Sequence, residues 1–392
     1  MKYNFLLLLL LLFCCNYCFA QQYGIGHQTI SLMDTSRNRT IQTELYYPAD
    51  SSGENVPFAT STTEKFPVLV FGHGFVMTWD AYRNIWEAAV PHGYILAFPL
   101  TETGISPQHL ELGKDLAFLV DAIKMEGSNT GSFFYDRVDS SSCVMGHSMG
   151  GGASFLALQF NPGITAIANL AAAETSPSAI EAAASISIPS LLFAGENDCV
   201  TPPATNQILM FDSLPSACKT LVTIRGGSHC QMADNNFLCS IGENSCTPAP
   251  TISRIDQHAT IDRFLIPWLN FQLKGNCADG ARFDSLAVSD PAVLFSGNCQ
   301  LCTSTTTEEI DAKNFYSIGP NPVHDFLQIR FSETVTEPVL VKISDMLGKN
   351  RYSELYTGAR TIDLTFSNLE NGMYFISLET KNYTQLFKAL KY

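Results

Sequence analysis

Basic residues are scarce in this 392-residue chain: 23 lysines and arginines face 37 acidic residues, a formal net charge of −14. A surface of that sign repels phosphate, which argues against nucleic acid and anionic bilayers as partners. Charged residues of either sign reach only 15% while apolar residues reach 46%, which argues against a disordered or fibrous chain. Internal repeats are lacking. So is any long apolar run beyond the first twenty residues, and no later stretch is expected to insert into a membrane. The early run has Lys2, an almost pure leucine stretch from Phe5 to Phe13, and the small residue Ala20. It reads as an export signal over residues 1–20, too short to span a bilayer comfortably. A lipid anchor on Cys14 or Cys15 is the weaker reading, because Phe13 stands where a small residue would be wanted.

Cysteine is plentiful, at twelve. Cys14, Cys15 and Cys18 leave with the signal, and Cys143 falls in a strand-like apolar run that suits a buried thiol. The remaining Cys199, Cys218, Cys230, Cys239, Cys246, Cys277, Cys299 and Cys302 form an even set crowded into one region of an exported chain, and read as disulfides. Zinc, through Cys299-x-x-Cys302 and His229-Cys230, is the competing reading, and the oxidising compartment weakens it. No metal or organic cofactor is expected.

Residues 21–302 alternate short β-rich runs with helical patterns. The runs are Pro67 to Phe71, Tyr94 to Phe98, Ser142 to Met145, Leu191 to Ala194 and Leu221 to Ile224. Leu112, Leu116, Leu119 and Ile123 share one helical face, as do Ile261, Phe264, Leu265, Trp268 and Leu269. Buried strands alternating with amphipathic helices predict a mostly parallel sheet with helices on both faces, an α/β fold. Gln28 to Tyr47 predicts two antiparallel edge strands. After Cys302 the texture changes. A linker over 303–312 begins with the Thr-rich stretch Thr303 to Glu309, and 313–392 reads as a small all-β sandwich of about seven strands. Its runs are Phe326 to Phe331, Pro338 to Ile343, Thr361 to Phe366 and Met373 to Leu378.

The sharpest local signal is Gly146-His147-Ser148-Met149-Gly150-Gly151-Gly152, between a strand and a helix pattern. A serine on such a tight strand-to-helix turn is a nucleophile elbow, whose flanking glycines avoid clashes and let the helix approach the sheet. A serine hydroxyl needs a base, and the base needs an orienting acid. Of the downstream histidines, His229 follows a strand in a Gly-rich loop, His258 lies in a helix pattern, and His324 is in the other domain. His229 is therefore the expected base. The acid should end the preceding strand, in Gly195-Glu196-Asn197-Asp198; Asp198 is the expected residue and Glu196 the alternative. Oxyanion donors are expected from the backbone N–H of Met149, after the serine, and of Phe75, in Phe71-Gly72-His73-Gly74-Phe75. Since Cys199 and Cys230 each follow one of the acid–base pair, a Cys199–Cys230 bridge is a further expectation.

These motifs resemble the cutinase-like and dienelactone-hydrolase-like α/β-hydrolases, including bacterial polyester (PET) hydrolases, over roughly residues 40–275. The resemblance implies a triad of Ser148, Asp198 and His229, with Phe75 and Met149 flanking the acyl group. Two departures stand out: Phe75 replaces the usual tyrosine, and Ala171-Ala172-Ala173-Glu174-Thr175 lies where PET hydrolases carry a tryptophan, placing Glu174 on the substrate side. The last domain resembles the type IX secretion sorting domain, through Gly319-Pro320-Asn321-Pro322, Asp325, Val341 to Gly348, Leu369 to Tyr374 and Phe387 to Lys391. A carbohydrate-binding or adhesion sandwich is the alternative there, and its lack of tryptophan counts against that. The expectation is a secreted, monomeric serine ester hydrolase, most specifically a polyesterase, whose partners are its ester substrate and the secretion machinery. The alternatives are a small-ester or lipid-ester hydrolase, and a catalytically silent hydrolase fold that binds surfaces.

Overall fold

The computed structural model describes residues 23–299, 316–331, 338–345, 349–380 and 384–391. The expected signal, the linker and Cys302 lie outside them. The chain divides into two compact units, one ending at Cys302 and the other beginning at Thr303.

The first unit is built on one sheet. Its strands are β1 (Gly24–Asp34), β2 (Arg39–Ala49), β3 (Gly53–Glu54), β4 (Phe66–Gly72), β5 (Ile95–Pro99), β6 (Val138–His147), β7 (Ala166–Leu170), β8 (Ser190–Gly195), β9 (Lys219–Ile224) and β10 (Val293–Gly297). They lie in the order β10-β9-β8-β7-β6-β4-β5-β2-β1-β3. Strands β4 to β9 pair in parallel, whereas the β1–β2 hairpin joins through β2 and β10 closes the far edge, both antiparallel. Every residue of β4, β5, β7 and β8 is buried, as a strand covered on both faces must be. The mostly parallel sheet and the antiparallel hairpin follow the expectation. The short β7 and the antiparallel β10 were not singled out.

The helices are α1 (Arg83–Ala89), α2 (His109–Glu126), α3 (Met149–Ala157), α4 (Ala179–Ala183), α5 (Gln207–Ser213), α6 (Phe237–Glu243), α7 (Arg254–Lys274) and α8 (Cys277–Ser289). Helices α2 to α5 cover one face of the sheet, where Leu112, Leu116, Leu119, Val120 and Ile123 of α2 join one apolar cluster. Helices α1, α7 and α8 cover the other, with Phe264, Leu265, Trp268, Leu269 and Phe283 in a second cluster. Each such side chain contributes roughly 1.5–3 kcal/mol by leaving water. The sheet is thereby held from both sides, and the loops at the C-terminal ends of β4, β6, β8 and β9 are left to carry the site.

The second unit is all β. Strands β11 (Tyr316–Gly319), β12 (Phe326–Phe331) and β15 (Thr361–Thr365) form one antiparallel sheet. Strands β13 (Val339–Asp345), β14 (Asn350–Tyr356), β16 (Gly372–Glu379) and β17 (Thr384–Lys391) form the other. Alternate residues of both, such as Leu327 and Ile329 against Val341, Ile343 and Ile376, share one core, which is the alternation a two-sheet packing requires.

Candidate active site

Ser148 sits between β6 and α3 with φ 54° and ψ −122°, outside the ordinary regions for a residue with a side chain. Its backbone is fixed from both ends: its N–H donates to Leu170 O at 3.0 Å, and its carbonyl accepts the N–H of Ala173 at 2.9 Å. Tight packing leaves no room for relaxation, since a Cβ on Gly150 would meet Gly72 O at 2.1 Å and one on Gly146 would meet Gly150 C at 2.3 Å. The strain is therefore held by surrounding backbone, as strain at functional turns must be. The Ser148 hydroxyl forms no hydrogen bond among the described residues.

His229 and Asp198 face each other across the loops after β9 and β8, with Nδ1 to Oδ2 at 2.8 Å and both side chains buried. Asp198 Oδ1 accepts the N–H groups of Val200 and Thr201, each at 2.8 Å, so the carboxylate is aimed before it meets the imidazole. The expected alternative, Glu196, is engaged elsewhere: its Oε2 accepts the N–H of Gly226 at 2.8 Å. Thr201 adds a contact that the sequence reading did not include. Its Oγ1 lies 2.9 Å from Asp198 Oδ2 and 3.0 Å from His229 Nδ1, and receives Gln207 Nε2 at 3.1 Å. A hydroxyl three residues beyond Asp198 was the available signal.

Helix α7 supports the His229 loop. Gln257 grips Ser228 on both sides, accepting its N–H at 2.9 Å and donating to its carbonyl at 2.8 Å. Arg254 donates to the carbonyls of Cys230 and Ala233. On the serine side, Phe75 is half exposed and is followed by Val76 at φ 51°. Met149 is buried at the start of α3. Among the described residues, no backbone acceptor faces the N–H of Phe75 or of Met149. Glu174 is exposed, and its Oε2 accepts the N–H of Ile180 at 3.0 Å, in the first turn of α4.

The disulfides correct one expectation. Cys199 bonds Cys246 and Cys230 bonds Cys239, so the Cys199–Cys230 bridge is not formed. The reason is orientation: Cys199 faces solvent while Cys230 is 1% exposed, although the residues preceding them touch. Cys218 bonds Cys299, Cys277 is also disulfide-bonded, and Cys143 is a buried free thiol. Among the described residues, no cluster of three or more metal-ligating side chains occurs.

The Cys230–Cys239 bond attaches α6 directly beside His229, and Glu243 Oε1 accepts the N–H of Cys230 at 2.9 Å. Cys239 and Glu243 share one helical face. Phe237, Leu238 and Ile241 occupy the opposite face and are 77%, 50% and 55% exposed. That is the reverse of an ordinary surface helix, which turns its apolar face inward.

Residues 24–267 match the family described as PET hydrolase-like, and residues 317–391 match the secretion system C-terminal sorting domain. The chain is 24% identical over 237 residues to a bis(hydroxyethyl) terephthalate hydrolase of Streptomyces coelicolor, an alignment covering 58% of this chain and 72% of that protein.

Proposed function

The chain belongs to the PET hydrolase-like family and is an exported ester hydrolase carrying a type IX sorting domain, and from that premise we propose a serine esterase that cleaves polyesters through an acyl-enzyme. Ser148 Oγ attacks the ester carbonyl while His229 Nε2 takes its proton. The N–H groups of Phe75 and Met149 receive the developing oxyanion. His229 returns the proton to the leaving alcohol, and water repeats the sequence to release the acid. Asp198, with Thr201 beside it, keeps the Nδ1–H tautomer of His229 and stabilises the imidazolium without itself accepting the proton. The observation that carries this reading is the buried 2.8 Å Asp198–His229 pair, held on the loops after β8 and β9 at the same end of the sheet as the strained Ser148 turn after β6. The serine hydroxyl must rotate onto His229 in the substrate complex, as catalytic contacts commonly tighten on binding.

Exposed apolar residues on the loops beside these groups and on α6 favour an apolar, insoluble substrate: Phe75 and Val200 on loops, Phe237, Leu238 and Ile241 on the helix. The relative acting on bis(hydroxyethyl) terephthalate, a small diester, supports the second reading, a hydrolase of soluble esters alone. Hydrolysis of a soluble nitrophenyl ester and of a polyester film, by the wild type and by Ser148→Ala, separates them. Polyesterase activity requires both substrates to turn over in the wild type and both rates to fall at least about 10⁴-fold in the variant. Turnover of the soluble ester alone leaves the second reading standing. Inertness on both, with no labelling by a fluorophosphonate, removes the serine mechanism and leaves a surface-binding protein.

A further inference from the structure

The serine turn, the Phe75 loop and the His229 loop follow β6, β4 and β9, and β9 is separated from β6 by two intervening strands. Ladder hydrogen bonds therefore do not join the serine strand directly to the base strand. Two fully buried side chains do. Tyr82 Oη accepts the N–H of Gly74 at 2.7 Å and lies 3.1 Å from His147 Nδ1. His147 Nε2 lies 3.2 Å from the carbonyl oxygen of His229. We propose that Tyr82 and His147 form one tie that sets the mutual positions of the oxyanion loop, Ser148 and His229, and that both are positioning residues for the acyl transfer proposed above, on which this inference rests.

The protons along the tie have a single order. A carbonyl only accepts, so His147 Nε2 carries the hydrogen that reaches His229 O. A neutral imidazole has one N–H, so Nδ1 is an acceptor and Tyr82 must donate to it. The Tyr82 oxygen is then free to receive Gly74 N–H. Met77 Sδ, 3.5 Å from Tyr82 Oη, is the competing acceptor, and a thioether is weaker than an imidazole nitrogen. The ring of His147 lies tilted against that of His229, with centroids 4.7 Å apart. It must stay uncharged as His229 becomes an imidazolium, and burial does hold its pKa well below the usual histidine value.

The test uses the full chain with Tyr82→Phe, His147→Phe and His147→Gln, following kcat and KM on a soluble nitrophenyl ester, fluorophosphonate labelling and thermal midpoint. A displacement of catalytic groups by about 1 Å costs on the order of 100-fold in rate, so Tyr82→Phe and His147→Phe should lose about 10- to 100-fold in kcat with KM changed less than about twofold. Gln offers an amide oxygen and N–H in place of the two ring nitrogens, and His147→Gln should recover a substantial part. Folded Phe variants that keep kcat within about threefold of wild type overturn the proposal, as does a loss that Gln fails to recover. Should a variant not fold, or the wild type be inert on esters, the imidazole nitrogen shifts of wild-type His147 and exchange of the Gly74 amide decide. An Nε2–H tautomer with a protected Gly74 supports the tie; an Nδ1–H tautomer overturns it.

Discussion

The two halves of the site are held by different materials. The serine half is backbone set against backbone: Gly150 against Gly72, Gly146 against Gly150, and Ser148 bonded at both its N–H and its carbonyl. The half around Asp198 and His229 is made of side chains and sulfur. Asp198, Thr201 and Gln207 brace one loop, while Gln257, Arg254 and two disulfides brace the other and its surroundings. A half built chiefly of backbone is most exposed to steric intrusion. One built of side chains can be weakened contact by contact, and by reduction.

Beyond Ser148→Ala, the sharpest way to break that contrast is Gly150→Ala. Its Cβ would lie 2.1 Å from a carbonyl oxygen, so chain must move, and a loss of about 3 kcal/mol or more is expected as a lower denaturant midpoint. A shift under about 1 kcal/mol would show that the serine half is not tightly set. Replacing Cys230 and Cys239 together by serine opens a crosslink with a sequence separation of 9. It should cost about 2–3 kcal/mol and lower activity at temperatures where the rest of the fold persists. Near-UV circular dichroism recorded beside the ester assay checks this; coincident loss of both signals would mean that the two halves unfold as one. Thr201→Val removes one hydroxyl from the Asp198–His229 pair and should reduce kcat about 5- to 10-fold with KM little changed, the worth of roughly 1 kcal/mol.

A pH-dependent effect concerns α7. Burial pushes the Asp262 carboxyl up to about 7, and its Oδ1 has no hydrogen-bond partner. Between pH 4 and 7 the folded state then holds a proton that the unfolded chain has released, so this group lowers stability as pH rises through that window. Asp262→Asn should therefore flatten the fall in thermal midpoint between pH 5 and pH 8. An unchanged slope would remove Asp262 as its source.

The contrast also explains what the sequence revealed. Glycine spacing around Ser148 is a local requirement, and the chain order Ser148, Asp198, His229 needs no coordinates, so the proposed triad could be picked from the sequence, and the structure brings Asp198 and His229 into contact. Strand cores at β4, β5, β6, β8 and β9 were legible from short apolar runs bounded by Gly and Pro. The cysteine pairing was not. Adjacency to Asp198 and His229 suggested Cys199–Cys230, but the α6 segment folds back to place Cys239 with its Cα 5.7 Å from that of Cys230. Tyr82 and His147 are 65 residues apart, and neither residue type announces a partner at that distance. Contacts decided by tertiary packing leave no periodic trace.

Cys143 lies in the middle of β6, fully buried between β4 and β7, and is the free thiol among the described residues. Burial raises its pKa far above the usual thiol value, leaving neither thiolate nor access for an alkylating reagent. The central sheet therefore carries its own clock: under non-reducing conditions, the rate at which this thiol becomes modifiable is the rate at which the middle of the sheet comes apart.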